Sequence, residues 1–207
     1  SIEALESINF FDGTTIAAHV VWPSDREIEI LAKRNVGVVH NPTSNMKLSS
    51  GVAPISKMIE AGVLVGLGTD GAASNNDLDM WEEMRLASLL QKVTSMDPEV
   101  LPAIEVLRMA TSNGAEIIGM ENEIGMISVG MKADVIQIAY DDVHHVPSYD
   151  IASHLVYVTD EQDVINVIID GKLIMHQREF LTLDTEQIRE DVTSISSRIK
   201  ETMNSNQ

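Results

Sequence analysis

An α/β fold is predicted for this chain: parallel strands alternating with helices, followed by a small, mostly β unit. Three observations predict it. Between residues 14 and 118, short apolar segments alternate with amphipathic ones at a period close to that of βα units. Those apolar segments are almost free of polar residues, as strands covered on both faces should be. After Gly119 the pattern changes to strand-like runs, with a strong hairpin signal at Asp170-Gly171.

The elements follow in order. Residues 3–9 read as a helix end, and Asp12-Gly13 as a turn. The run 14–20 is a strand ending near His19. Ser24 with Glu27 three residues later forms a capping box for a helix over 25–34, whose inner face carries Ile28, Leu31 and Ala32. A strand over 36–41 is ended by Pro42. The stretch 41–51 reads as a long loop, and 52–62 as a helix closed by Gly62. A third strand spans 63–70. Asp77 is placed to cap a helix over 78–92 with Met80, Met84, Ala87 and Leu90 inward. Pro102 opens a helix that Gly119 ends. Strands are expected at 133–138, 154–159, 164–170 and 172–177. A final helix over 185–201 aligns Ile188, Val192, Ile195 and Ile199, and the tail from 202 onward is expected to fray.

Composition narrows the partners. The 207 residues suffice for a sizeable core, and 32 acidic against 14 basic residues give a net charge of -18. That argues against a nucleic-acid surface, which must be basic, and against an anionic membrane surface. With no cysteine there is no disulfide frame and no thiolate metal site. No apolar run approaches a transmembrane span, and the first residues lack the basic-then-apolar order of a signal peptide. A cytoplasmic location is expected. The chain does not begin with Met, which points to processing, design or truncation.

Three successive strands end in polar residues: His19, His40 and Asp70. Neighbouring strand ends lie ~4.8 Å apart, so these side chains can converge at the carboxyl rim, where α/β folds place their chemistry. Asp70 serves equally well as a cap for the turn that follows it. Zinc or another divalent ion is the natural common object of His and Asp, although one carboxylate with one or two histidines is an incomplete ligand set. The 41–51 stretch, with Asn45 among its donors, suits a substrate wall or a plain solvated loop. Adjacent His144 and His145 point apart in a strand, so no metal pair is expected there; with His154 and His176 they read as surface or domain-contact residues. Asp77, Asp79, Glu82 and Glu83 read as a solvated first turn, and Trp81 and the methionines as core. No phosphate-cradling loop and no Gly-x-Ser-x-Gly elbow occurs.

The segments "HNPTSNMKL" and "GTDGAASNNDLDM", with "AAHVVWPSDREIEILAKRNVGVV" before them and "GMISVGMKADVIQI" after, resemble the amidohydrolase superfamily. Within it they are most similar to the 5-methylthioadenosine/S-adenosylhomocysteine deaminases and their relatives, the triazine chlorohydrolases and guanine deaminases. The resemblance covers almost the whole chain. It implies the C-terminal part of a (β/α)8 TIM barrel, about strands six to eight, over residues 1–120. Part of a small β-sandwich would follow over 121–183, then a C-terminal helix and tail over 184–207.

By the same resemblance Asp70 would bind Zn2+ and handle the attacking water's proton, and His19 would orient the water and the leaving group. Ser74 would contact the nucleoside, with His40 and Asn45 lining the pocket. The family's His-x-His, the strand-five zinc histidine and the proton-shuttling glutamate have no counterpart in these 207 residues. The implied activity is hydrolytic deamination of an adenine nucleoside by the intact parent, with this chain alone inactive. The alternatives are a chlorohydrolase, a guanine deaminase or a non-catalytic fragment with an interaction role. Three strands cannot close a barrel, so a missing N-terminal half or self-association is expected.

Overall fold

The computed structural model describes residues 1–205. Helix α1 (Ile2–Ser7) leads through a 3-10 turn to strand β1 (Ile16–Ala18), which is followed by α2 (Asp25–Lys33) and β2 (Gly37–His40). The capping box at α2 is present: Glu27 N donates to Ser24 Oγ (3.2 Å) and Ser24 N donates to Glu27 Oε2 (3.0 Å). Ile2 N also donates to Glu27 Oε1 (2.7 Å), so the box ties α1 to α2. These donors, Ser24 N foremost, hold the Glu27 carboxyl down at about 2.

Helices α3 (Pro42–Lys47) and α4 (Ile55–Glu60) precede β3 (Val65–Leu67). Strands β1, β2 and β3 form a parallel sheet in that order, with Ile16 opposite Gly37 and Val38 opposite Val65. Helices α5 (Met80–Ser95), α6 (Ala103–Ala110) and α7 (Ser112–Ile117) complete the first part. Leu31, Val38, Ile55, Met58, Val65, Val106 and Met109 are fully buried between sheet and helices, forming the core. A Cβ on Gly37 would lie 2.8 Å from Ile117 Cγ2, so only glycine lets α7 approach β2 this closely.

The second part contains β4 (Val135–Ile138), α8 (Ile151–Tyr157), β5 (Val164–Ile169), β6 (Lys172–His176), β7 (Glu179–Phe180) and α9 (Thr185–Ser205). Strands β4 to β7 form an antiparallel sheet in chain order, with the expected Asp170-Gly171 turn joining β5 to β6. No residue of α9 is buried, and its stripe Ile188, Val192, Ile195 and Ile199 lies open. No helix among the described residues is long and apolar enough to cross a membrane.

The α/β class holds, and several elements differ from the sequence reading. The run 154–159 lies mostly in a helix rather than a strand: Asp150 caps α8 by accepting from Ser153 N (2.6 Å), and Leu155 and Val156 pack on the core. Tyr157 Oη pairs with Ser88 Oγ on α5 (2.6 Å) and Arg85 donates to Thr159 O (2.9 Å), tertiary contacts that override β propensity. The 41–51 loop contains α3, with Pro42 at its first turn instead of ending order. Asp79, not Asp77, caps α5, accepting from Trp81 N and Glu82 N. The helix expected from Pro102 to Gly119 breaks at Thr111 (φ -132, ψ -95), whose hydroxyl donates back to Leu107 O (2.6 Å). Helix α9 continues through Ser205, so residues 202–205 do not fray; 206–207 lie outside the described residues.

Candidate functional site

The parallel ladder delivers the three polar strand ends to one rim. His19 N donates to Val39 O (2.9 Å) and Gly68 N to His40 O (3.0 Å), which carries each strand one step past its formal end. There the backbone turns sharply: His19, Val20 and Asp70 adopt positive φ of 69, 42 and 59°. A left-handed β-branched residue such as Val20 is costly, and such strain collects at functional sites.

His19 Nε2 lies 3.7 Å from Asp70 Oδ2. On its other side, His19 Nδ1 meets Asn45 Oδ1 at 2.9 Å. An amide oxygen only accepts, so Nδ1 donates to it, and Nε2 is the ring nitrogen turned toward Asp70. The carboxylate of Asp70 accepts from Ser74 Oγ (2.6 Å) and Ser44 Oγ (2.7 Å) at Oδ2, and from Gly71 N (2.8 Å) at Oδ1. These bonds, Ser74 first and Ser44 second, hold it ionised down to about 2. An imidazole nitrogen beside a fixed carboxylate is an arrangement that favours a water or a cation between them.

His40 occupies the middle strand and is fully buried, with neither ring nitrogen hydrogen-bonded. Burial first, and the neighbouring His19 second, push its pKa down to about 4, so it is neutral near pH 7. Asn45 is buried too, and its contact is with His19. Ser74 points at Asp70 and also reaches Gly71 O (3.0 Å).

Three residues that support the rim escaped the sequence reading: Glu83, Asn75 and Ser44. Glu83, taken there for a solvated acid, is fully buried. Its Oε1 accepts from Asn75 Nδ2 (2.8 Å) and its Oε2 from Thr43 N (3.2 Å), so it pins both segments that carry the serines. Burial raises its pKa. Asn75 in turn donates to Thr69 O (2.8 Å), next to Asp70. The missed signal was spacing: Glu83 falls on the inner face with Met84 and Ala87. Ser44 was likewise passed over, because the helix that aims it was read as loop.

The adjacent histidines also differ from expectation. Residues 143–145 form a 3-10 turn, where strand alternation does not apply, and the rings of His144 and His145 lie 4.1 Å apart. Both approach Asp163. Among the described residues, His144, His145 and Asp163 are the trio with metal-ligand spacing; the strand-end pair of His19 and Asp70 is not part of such a trio. One carboxylate and one imidazole do not complete a zinc site, which normally takes three or four protein donors.

A parallel sheet with covering helices and a His/Asp pair at its carboxyl rim defines a chain of the α/β class, and residues 1–174 match the amidohydrolase family profile. The chain belongs to that family. It is 51% identical over 187 residues to a 5-methylthioadenosine/S-adenosylhomocysteine deaminase of Dictyoglomus thermophilum, covering 90% of this chain and 44% of that protein. It is 49% identical over 199 residues to a 5'-deoxyadenosine deaminase of Methanosarcina barkeri, covering 96% of this chain and 46% of that one. An adenosine deaminase from Xanthomonas campestris, solved with bound zinc, superposes with a TM-score of 0.94 at 36% identity, over 97% of this chain and 46% of that one. The chain thus spans about half the length of the relatives it matches.

Proposed function

We propose that this chain supplies the C-terminal part of a zinc-dependent hydrolase that deaminates an adenine nucleoside such as 5-methylthioadenosine or S-adenosylhomocysteine. In that reading β1 to β3 are strands six to eight of a (β/α)8 barrel within residues 1–120, 121–183 contributes to a β-sandwich, and 184–207 forms the terminal helix and tail. The observation that carries it is the rim pair: an anionic Asp70 held by three donors, beside a His19 whose Nε2 faces it. The deaminase relatives, up to 51% identical, support the choice of substrate over a chloride leaving group or a guanine ring.

When bound, zinc lowers the pKa of its water toward neutrality. The residues of this chain do the rest of their part without it. Asp70 stays ionised across the working pH range, so it can hold a cation and accept a water's proton. His19, fixed by Asn45 through Nδ1, presents Nε2 to orient the water and the leaving group. Ser74 shares its hydroxyl with Asp70, and its remaining lone pair can accept from the nucleoside. His40 and Asn45 sit behind the rim and shape it from within. Since this chain holds two of the required groups, it is inactive by itself, and the partner it needs is the complementary half of the barrel. A cytoplasmic setting, where such nucleosides arise, belongs to the same proposal.

The test is complementation. This chain, co-expressed with the preceding half of the Dictyoglomus thermophilum relative, is assayed for ammonia release from 5-methylthioadenosine. Activity is expected in the complex and not in the chain alone. Asp70→Asn in the complex is expected to lower kcat by roughly 10²–10⁴-fold. An assembled complex that is inert to purine nucleosides, or one indifferent to Asp70→Asn, overturns the reading.

A further inference from the structure

We propose that His144, His145 and Asp163 form a second divalent-metal site, separate from the strand-end rim, suited to zinc or a similar borderline transition ion. Three elements bring the ligands together. The 3-10 turn Val143–His145 after β4 carries both imidazoles, and a second 3-10 turn, Glu161–Asp163, places the carboxylate at the start of β5. Helix α8 lies between them and anchors the connection to the core.

The spacing fits an ion. His144 Nε2 lies 3.0 Å from Asp163 Oδ1, His145 Nε2 lies 3.3 Å from Oδ2, and the three ligand atoms fall within 4.8 Å of one another. With metal–ligand bonds of about 2.0–2.2 Å, the edges of a tetrahedral zinc site are about 3.3–3.6 Å. The carboxylate is also pre-oriented, because Asp160 N donates to Asp163 Oδ2 (3.0 Å). Two neutral imidazoles and one carboxylate are the donor set of borderline divalent ions rather than of magnesium or calcium. The half-exposed side of His144 leaves a further position for water.

His145 supplies the independent observation. It is fully buried, stacks on Tyr140 with centroids 4.6 Å apart, and neither ring nitrogen makes a hydrogen bond. A simple His144–Asp163 hydrogen bond (3.0 Å) accounts for one histidine and leaves the other orphaned against the same carboxylate. Buried polar atoms without partners are rare and costly. An ion bound through His145 Nε2 satisfies the atom that faces Asp163. The acidic residues Asp141, Asp142, Asp160 and Glu161 flank the two turns and add to the attraction for a cation. Such an ion would clip the loop after β4 to the start of β5, fixing the path of α8 between them.

The experiment is zinc titration of the metal-stripped full chain, read by calorimetry, by bound-metal stoichiometry and by the visible spectrum after cobalt substitution. About one ion per chain is expected, with a cobalt spectrum of tetrahedral or five-coordinate type. Asp70→Asn, which removes the strand-end carboxylate, is expected to leave binding intact. His144→Gln is expected to weaken it on the order of a hundredfold. Asp163→Asn also removes a turn cap, so His144→Gln, at a half-exposed position, is the deciding variant. A chain that binds no zinc, a His144→Gln chain that binds as tightly as the parent, or loss of binding in Asp70→Asn alone each overturns the proposal.

Discussion

Asp70 combines three roles in one side chain: it follows a buried strand just past its last ladder bond, sits in left-handed backbone, and gathers donors from two different segments. Ser74 comes from its own turn, whereas Ser44 reaches it from α3. That convergence shifts its equilibrium toward the carboxylate more than a lone turn cap would. The folded-state pKa lies below the ordinary 3.8, so this group's contribution to stability is complete above about pH 3.8 and is lost as pH falls toward about 2. An NMR titration of the Asp70 carboxyl should give a midpoint near 2, moving upward in Ser74→Ala because the largest cause is removed. A parent midpoint at 3.8 or above would show that the serines do not hold the carboxylate. The strand-end positions of His19, His40 and Asp70 were legible in sequence because a polar residue after an apolar run marks where a buried strand emerges. The partners were not: Ser44, Asn75 and Glu83 act across 8 to 40 residues, and no local pattern announces such pairings.

Helix α5 shows how one element positions others. Glu83 reaches from its inner face to Thr43 at the start of α3 and to Asn75 in the turn after β3. It therefore couples both serine-bearing segments to a rigid 16-residue helix. Glu83→Ala would leave two donors facing a small cavity, at a cost of about 3 kcal/mol by thermal or urea unfolding. Glu83→Gln keeps an acceptor and the volume, so it should lose less than half as much; equal losses in the two variants would mean that packing, not hydrogen bonding, explains the burial. The elements read correctly were those with local signatures, such as the Ser24–Glu27 box and the Asp170-Gly171 turn. Those misread were decided by contacts made elsewhere. The β-branched run ending in Tyr157 and Val158 looks like a strand, but α8 forms because Asp150 caps it and because Val156 and Tyr157 find places against α5 and α6.

On the scale of the whole molecule, the parallel sheet has an open edge among the described residues. Only one edge of β1 is paired, with β2, and its other edge opens onto a groove of about 440 Å³ lined by Ile2, Leu5, Phe10, Ile16, Ala18 and Trp22. Ile16 is 48% exposed and Trp22 80% exposed. An apolar edge with free backbone donors and acceptors is a template for another strand. Under the proposed function that strand comes from a complementary half; for the chain alone, a second copy is the available partner. The chain by itself is therefore expected to associate in a concentration-dependent way in analytical ultracentrifugation, against its net charge of -18 and more strongly as added salt screens that repulsion. Ile16→Lys places a charge on the open edge without touching the buried face of the sheet, so it should shift the population toward monomer while leaving the melting temperature of the monomer nearly unchanged. The exposed stripe of α9 offers the rival surface, and Ile195→Lys separates the two. If Ile195→Lys dissolves the association and Ile16→Lys does not, the helix rather than the sheet edge is the sticky face, and the open edge of β1 is not what this chain most needs to cover.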